Sequence, residues 1–123
     1  MDTATLVDEK IEHGRLLVEQ LQERGFDVSV AFWALTSEEG LWFLYIASTV
    51  VDQEGLAAAY GQVYGELSSS GIQSVSRSDI KLIGQHNPIA TDAMTYRNRQ
   101  APTRYAGRTL GNVIVDEAYI YPG

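Results

Sequence analysis

Two apolar runs dominate the pattern of the chain. Val28–Thr36 and Leu41–Val51 are rich in β-branched and aromatic residues, and the polar stretch Ser37–Gly40 lies between them. Such a pair predicts an antiparallel hairpin closed by a short glycine-containing loop. A four-residue loop sets Thr36 opposite Leu41. Leu35 then faces Trp42, Trp33 faces Leu44 and Ala31 faces Ile46, and alternation puts these six on one side of the ribbon. Val28, Val30, Phe32, Ala34, Phe43, Tyr45 and Ala47 take the other side. A hairpin wetted on one face shows one polar side; here both sides are apolar, so each needs a cover. The second face admits three covers: another element of the same chain, a second copy meeting Val30, Phe32, Phe43 and Tyr45, or a ligand in a groove.

Helical spacing flanks the hairpin. Thr5 with Asp8 three residues on reads as an N-cap, and Val7, Ile11, Gly14, Val18 and Leu21 form a stripe flanked by Leu17. Asp8, Glu9, Glu12, Glu19 and Glu23 lie off the stripe. Gly25 stands where a helix ends. Gly14 costs about 1 kcal/mol inside a helix, which makes sense where the helix backbone lies close against a sheet. After the hairpin, Asp52 is the expected cap of a second helix carrying Leu56, Ala59, Tyr60, Val63 and Leu67 and ending at Gly71. A short strand is expected over Asp79–Ile83, then a turn. Asn87 caps a third helix with Pro88 at its first position. An edge strand over Thr103–Arg108, a turn at Thr109–Asn112 and a last strand over Val113–Tyr121 complete the order. The sum is one α+β domain spanning residues 1–123. Its expected form is a two-layer sandwich of about three helices on a four- to five-stranded, mostly antiparallel sheet.

Composition narrows the chemistry. The chain has no cysteine, which excludes disulfides, thiolate zinc sites and iron–sulfur clusters. No apolar run reaches the ~18 residues a membrane helix needs, and no basic-then-apolar leader opens the chain, so a cytoplasmic protein without membrane contact is expected. Net charge is −7, unevenly spread: residues 1–70 carry −9 and residues 71–123 carry +2. An acidic chain repels nucleic acid in general, but a local basic stretch can still bind it.

Candidate chemistry is sparse. Asp116 and Glu117 are adjacent on a strand, so they point to opposite faces and only one turns inward; no second acid cluster completes a metal or acid–base site. His86 lies in a turn and His13 beside the first helical stripe, neither within a recognisable triad. No zinc-protease, nucleophile-elbow or phosphate-loop motif is present. The strongest polar constellation is the segment 96–108, with Arg97, Arg99, Arg104, Arg108, Tyr96 and Tyr105 and no acid. Arginine forks fit phosphate or carboxylate, and tyrosines offer stacking faces. The same arginines could instead pair with Asp116, Glu117, the acidic half of the chain or a second subunit.

The leading expectation is a small acidic, non-enzymatic protein–protein interaction module. It would be a homodimer through the hairpin face, or an accessory or inhibitor of a basic protein in the manner of an immunity protein. The alternative is a phosphate-, nucleotide- or RNA-binding protein using the Arg/Tyr segment. A third reading is a small hydrolase with a site near His86 and Asp116. No cofactor and no metal are expected.

Overall fold

The computed structural model describes Leu6 and residues 8–123. The Thr5 cap and Val7 lie outside the described residues. In chain order the elements are α1 (Asp8–Glu23), β1 (Val30–Thr36), β2 (Trp42–Ala47), α2 (Thr49–Glu54), α3 (Leu56–Ser70), a 3-10 turn (Arg77–Asp79), β3 (Ile80–Ile83), α4 (Pro88–Tyr96), β4 (Thr103–Leu110) and β5 (Val113–Ile120). The strands form one sheet in the order β3-β2-β1-β5-β4. Only β2 and β3 run parallel; the other three pairings are antiparallel. The chain is therefore an α+β fold on a mixed five-stranded sheet. No helix among the described residues is long and apolar enough to cross a membrane.

The hairpin register pairs Leu35 with Trp42, Trp33 with Leu44 and Ala31 with Ile46. On that side Trp33, Leu44 and Ile46 are buried with Leu17 and Leu21 of α1 and Ala59, Val63 and Leu67 of α3. Gly14 lets α1 come this close. A Cβ there would fall inside contact distance of the Tyr121 hydroxyl and 3.0 Å from Trp33 Nε1. The space is filled by a buried polar relay: Trp33 Nε1 donates to the Tyr121 hydroxyl at 2.8 Å, which donates to the Ile11 carbonyl at 2.6 Å. Burial pushes the Tyr121 hydroxyl well above the ordinary tyrosine value, with the Trp33 hydrogen bond opposing.

The other side is closed by the same chain. Val30, Phe32, Ala34 and Tyr45 are buried with Ala90 and Ala93 of α4 and with Leu110, Val115, Ala118 and Ile120 of the β4–β5 pair. Phe32 and Tyr45 stack at 5.1 Å. Helices thus stand on both faces of the sheet, α1 and α3 on one and α4 on the other, where two layers were expected. Asn87 caps α4 by accepting from the Ile89 N–H, with Pro88 at the first position.

The second apolar run breaks earlier than its β-branched residues imply. Ser48 is fully buried and its hydroxyl accepts from the Val50 N–H, so Thr49, Val50 and Val51 begin a helix in place of extending the strand. Asp52 is then inside α2, where it accepts from the Gln85 N–H at 3.0 Å and holds the β3–α4 turn. The α2–α3 crossover returns the chain to the same end of the sheet it left, which is why β3 joins β2 in parallel.

Candidate interaction surface

A five-stranded open sheet has two edges, and here they are β3 and β4. β4 is the longer, eight residues against four. Its sequence explains its place. Thr103-Arg-Tyr-Ala-Gly-Arg-Thr109 contains no Val, Ile or Leu, so it can pair with β5 and leave much of its own surface in water. Arg104, Ala106, Gly107, Arg108 and Thr109 are exposed. Among the described residues, no β4 N–H donates outside the β4–β5 ladder. Every second residue of such a strand turns its N–H and C=O outward.

The strand is nevertheless firmly anchored at its turn. Gly111 lies at φ 59, its N–H donates to Asp92 Oδ2 of α4 at 2.6 Å, and a Cβ there would meet Pro88 Cβ at 2.9 Å and Ile89 N at 3.0 Å. Only glycine combines that backbone conformation with that approach to α4.

An irregularity divides β4. β5 pairs Glu117 with Leu35 but Val115 with Thr36, so Asp116 bulges. Gly107, at φ 66, falls between the β4 residues paired with Glu117 and Val115. Arg104, paired with Tyr119, which is itself paired with Trp33, belongs to the α1/α3 side. Tyr105 and Arg108, paired with the buried Ala118 and Val115, belong to the α4 side.

The four arginines of the 96–108 segment are accordingly not brought together. Arg97 Nη1 donates to the Ser29 carbonyl at 2.5 Å and is half-buried. Arg99 is exposed and forms no ion pair among the described residues. The Arg104 guanidinium lies 4.8 Å from the Tyr119 ring centre. That of Arg108 lies 5.5 Å from Tyr96 and 5.6 Å from Tyr105, whose rings meet edge-on at 5.7 Å. Burial pushes the Tyr105 hydroxyl well above its ordinary value, Tyr96 adding to the shift and Arg108 opposing it; that hydroxyl is buried without a hydrogen-bond partner among the described residues. Burial raises Tyr119 likewise, against Arg104.

None of these four arginines forms an ion pair among the described residues. The pairs present are Lys10–Asp79, Arg15 with Glu12 and Glu19, Arg24–Glu66 and Lys81–Glu39. The expected bridges to Asp116 and Glu117 are not made: Asp116 instead accepts from the Ser37 hydroxyl at 2.5 Å, and both acids are exposed. Of the acids of α1, Glu12 and Glu19 pair with Arg15, whose hydrogen bond holds Glu12 below its usual carboxylate range.

The residues expected at a dimer face are elsewhere. Val30 (2% exposed), Phe32 (0%) and Tyr45 (6%) are core residues under α4 and β5, and they offer no surface to a second copy. Phe43 alone is half-exposed, with Lys81 Nζ 4.2 Å from its ring centre. His86, exposed in the β3–α4 turn, and Asp116, beside the hairpin loop, lie at opposite ends of the sheet, so no joint site forms. No group of three or more His, Asp or Glu able to hold a metal occurs among the described residues. Two features carry no local sequence signal. His13 Nδ1 lies 2.5 Å from Ser74 Oγ, which also donates to the Glu9 carbonyl, tying α1 to the loop before β3. Leu6, Trp42, Arg104, Ala106 and Glu117 line an open depression of ≈ 420 Å³ beside β4.

The chain matches no family model, no curated protein and no solved structure.

Proposed function

We propose that this protein is a non-enzymatic protein–protein interaction module that receives a partner's strand along the open edge of β4. The observation that carries the reading is the edge itself: eight residues long, exposed, its outward N–H groups without a partner among the described residues, and anchored by Gly111 and Asp92. A long uncovered edge is a template for another chain. The homodimer through the hairpin face loses its support, because α4 already occupies that face. The phosphate-binding reading is weakened by the division of the arginines between two sides of the sheet.

A photo-cross-linking residue placed at the exposed Ala106 tests this in the native host, with the same residue at exposed Gln53 of α2 as control. A discrete adduct from position 106 alone is expected. Its purified partner should slow amide exchange over residues 103–110. Adducts from both positions alike, or protection elsewhere, reject the reading.

A further inference from the structure

Backbone pairing at an edge is blind to sequence, and selection falls to the side chains along it. Granting that a strand docks on β4, those side chains describe the partner. Arg104 stands on the α1/α3 side and Arg108 on the α4 side, separated by Gly107. Each guanidinium lies near a tyrosine ring and neither has a carboxylate partner among the described residues. Arg99, just before the strand, adds a third exposed cation. A strand laid beside β4 sends its side chains alternately to the same two sides.

We infer that the segment recognised by β4 is an extended acidic peptide with two carboxylates on opposite sides of its strand, one meeting Arg104 and the other Arg108. In a segment that runs straight past Gly107 they are three residues apart, the odd spacing that puts two side chains on opposite sides of a strand.

Other occupants fit less well. Two copies of β4 paired edge to edge would gather four of these arginines along one seam, a charge arrangement that keeps natural edges apart. A nucleic acid supplies anions, but its sugar–phosphate backbone has no N–H for the outward carbonyls, and the net charge of −7 repels a polyanion. A peptide with two carboxylates meets both demands. The preference comes from Arg104 and Arg108 themselves: Glu117 of β5 shares a depression with Arg104, and Asp8 and Glu12 of α1 act on the Tyr119 ring beside it, so the local attraction is moderated on the Arg104 side and stronger at Arg108.

Four labelled, capped ten-residue peptides of alternating threonine and valine serve as probes. The first carries glutamate at its fourth and seventh positions, the second glutamine there, the third lysine there, and the fourth glutamate at its fourth and sixth. Each is titrated against the full chain at low and physiological salt, with backbone amides followed by NMR. The first peptide should bind about tenfold more tightly than the second, in keeping with two exposed ion pairs. The fourth, whose acids share one side, should keep roughly a third of that advantage, and the third should not bind. Arg104→Gln with Arg108→Gln should bring the first peptide to the level of the second. Equal affinity of the first two, with amides of 103–110 shifting, overturns the acidic partner and leaves strand docking standing. No shift in 103–110 with any peptide overturns both. Oligothymidylate shifting these residues where the peptides do not would replace the peptide with a nucleic acid.

Discussion

At one edge of the sheet, β3 runs for four residues and donates its Leu82 N–H to the Tyr60 hydroxyl at 3.0 Å; at the other, β4 runs for eight and donates no backbone N–H outward among the described residues. The cations differ in the same sense. Lys81 of β3 pairs with Glu39 at 2.5 Å and lies over Phe43, whereas Arg104 and Arg108 of β4 have rings beside them and no carboxylate. Both edges belong to one sheet, so the contrast is a property of the covering elements. α3 reaches β3 with Tyr60, while α4 packs on the face of β4 and leaves its rim open. An edge closed by the protein's own side chains is structural, and an edge left open while its turn is fixed is available.

The largest effect should separate the two edges by burial. Leu82 is 4% exposed in the core shared with α1 and α3, and Leu82→Ala should cost about 2–5 kcal/mol. Thr109→Ala, at an exposed β4 position, should stay within about 0.5 kcal/mol. Urea unfolding measures both, and equal losses would mean that β4 is as enclosed as β3.

Next in size is the anchor that keeps β4 open without being loose. Gly111→Ala puts a methyl group against Pro88 and Ile89 in a left-handed conformation, and about 1–3 kcal/mol should be lost. Asn tolerates that conformation better, but its larger side chain still meets α4, so Gly111→Asn should not recover the loss. A neutral Gly111→Ala would show that the turn can lift from α4.

Tyr60→Phe should cost about 1 kcal/mol by leaving the Leu82 N–H without its acceptor, and should speed exchange of that amide. Unchanged exchange would show that water serves as well as Tyr60, and the difference between the edges would shrink to their length.

How far these features were readable in the sequence depends on whether a local rule decided them. Alternation and a four-residue loop fix the register Trp33–Leu44 without tertiary information, and Asn87-Pro88 fixes the start of α4. Gly14 signalled a close helix–sheet approach, and the Tyr121–Trp33 relay fills it. Thr49-Val50-Val51 misled, because β-branched residues suit a strand but the buried Ser48 cap and the Asp52 contact to Gln85 favour a helix. The cover on the second hairpin face came from Ala90 and Ala93, whose small side chains give a weak helical signal. The Arg/Tyr segment reads as one cluster because its residues are neighbours in sequence. The irregularity at Gly107 and Asp116 depends on β1, far away in sequence, and it parts Arg104 from Arg108.

Among the cations of the two edges, Lys81 of the closed edge carries the titration shift. Desolvation works against the charge on Lys81, but the Glu39 hydrogen bond and the nearby Tyr45 and Glu39 together hold its pKa above the ordinary lysine value. A cation with a raised pKa stabilises the fold fully below its unfolded value of about 10.4, and the contribution is lost as pH rises through the folded value. Glu39→Gln should therefore shift the Lys81 titration downward, as read by NMR of its side chain. A titration unmoved by Glu39→Gln would mean the pair is not formed in solution, and the two edges would then be alike in charge.

The smallest expected effect on stability tests the open edge most directly. Arg99→Gln removes an exposed cation with no ion pair among the described residues and should change stability by less than about 0.5 kcal/mol. Arg104→Gln and Arg108→Gln each lose a tyrosine contact at an exposed site, worth about 0.5–1 kcal/mol at most. Arg108, lying over two rings, should lose slightly more than Arg104. The triple change makes the net charge more negative, which adds self-repulsion that salt screens, so the small loss should shrink further at high ionic strength. A loss of several kcal/mol from Arg104→Gln or Arg108→Gln would require a buried ion pair that holds the fold together. The β4 cations would then be structural, and the edge would have no charge left to offer a partner.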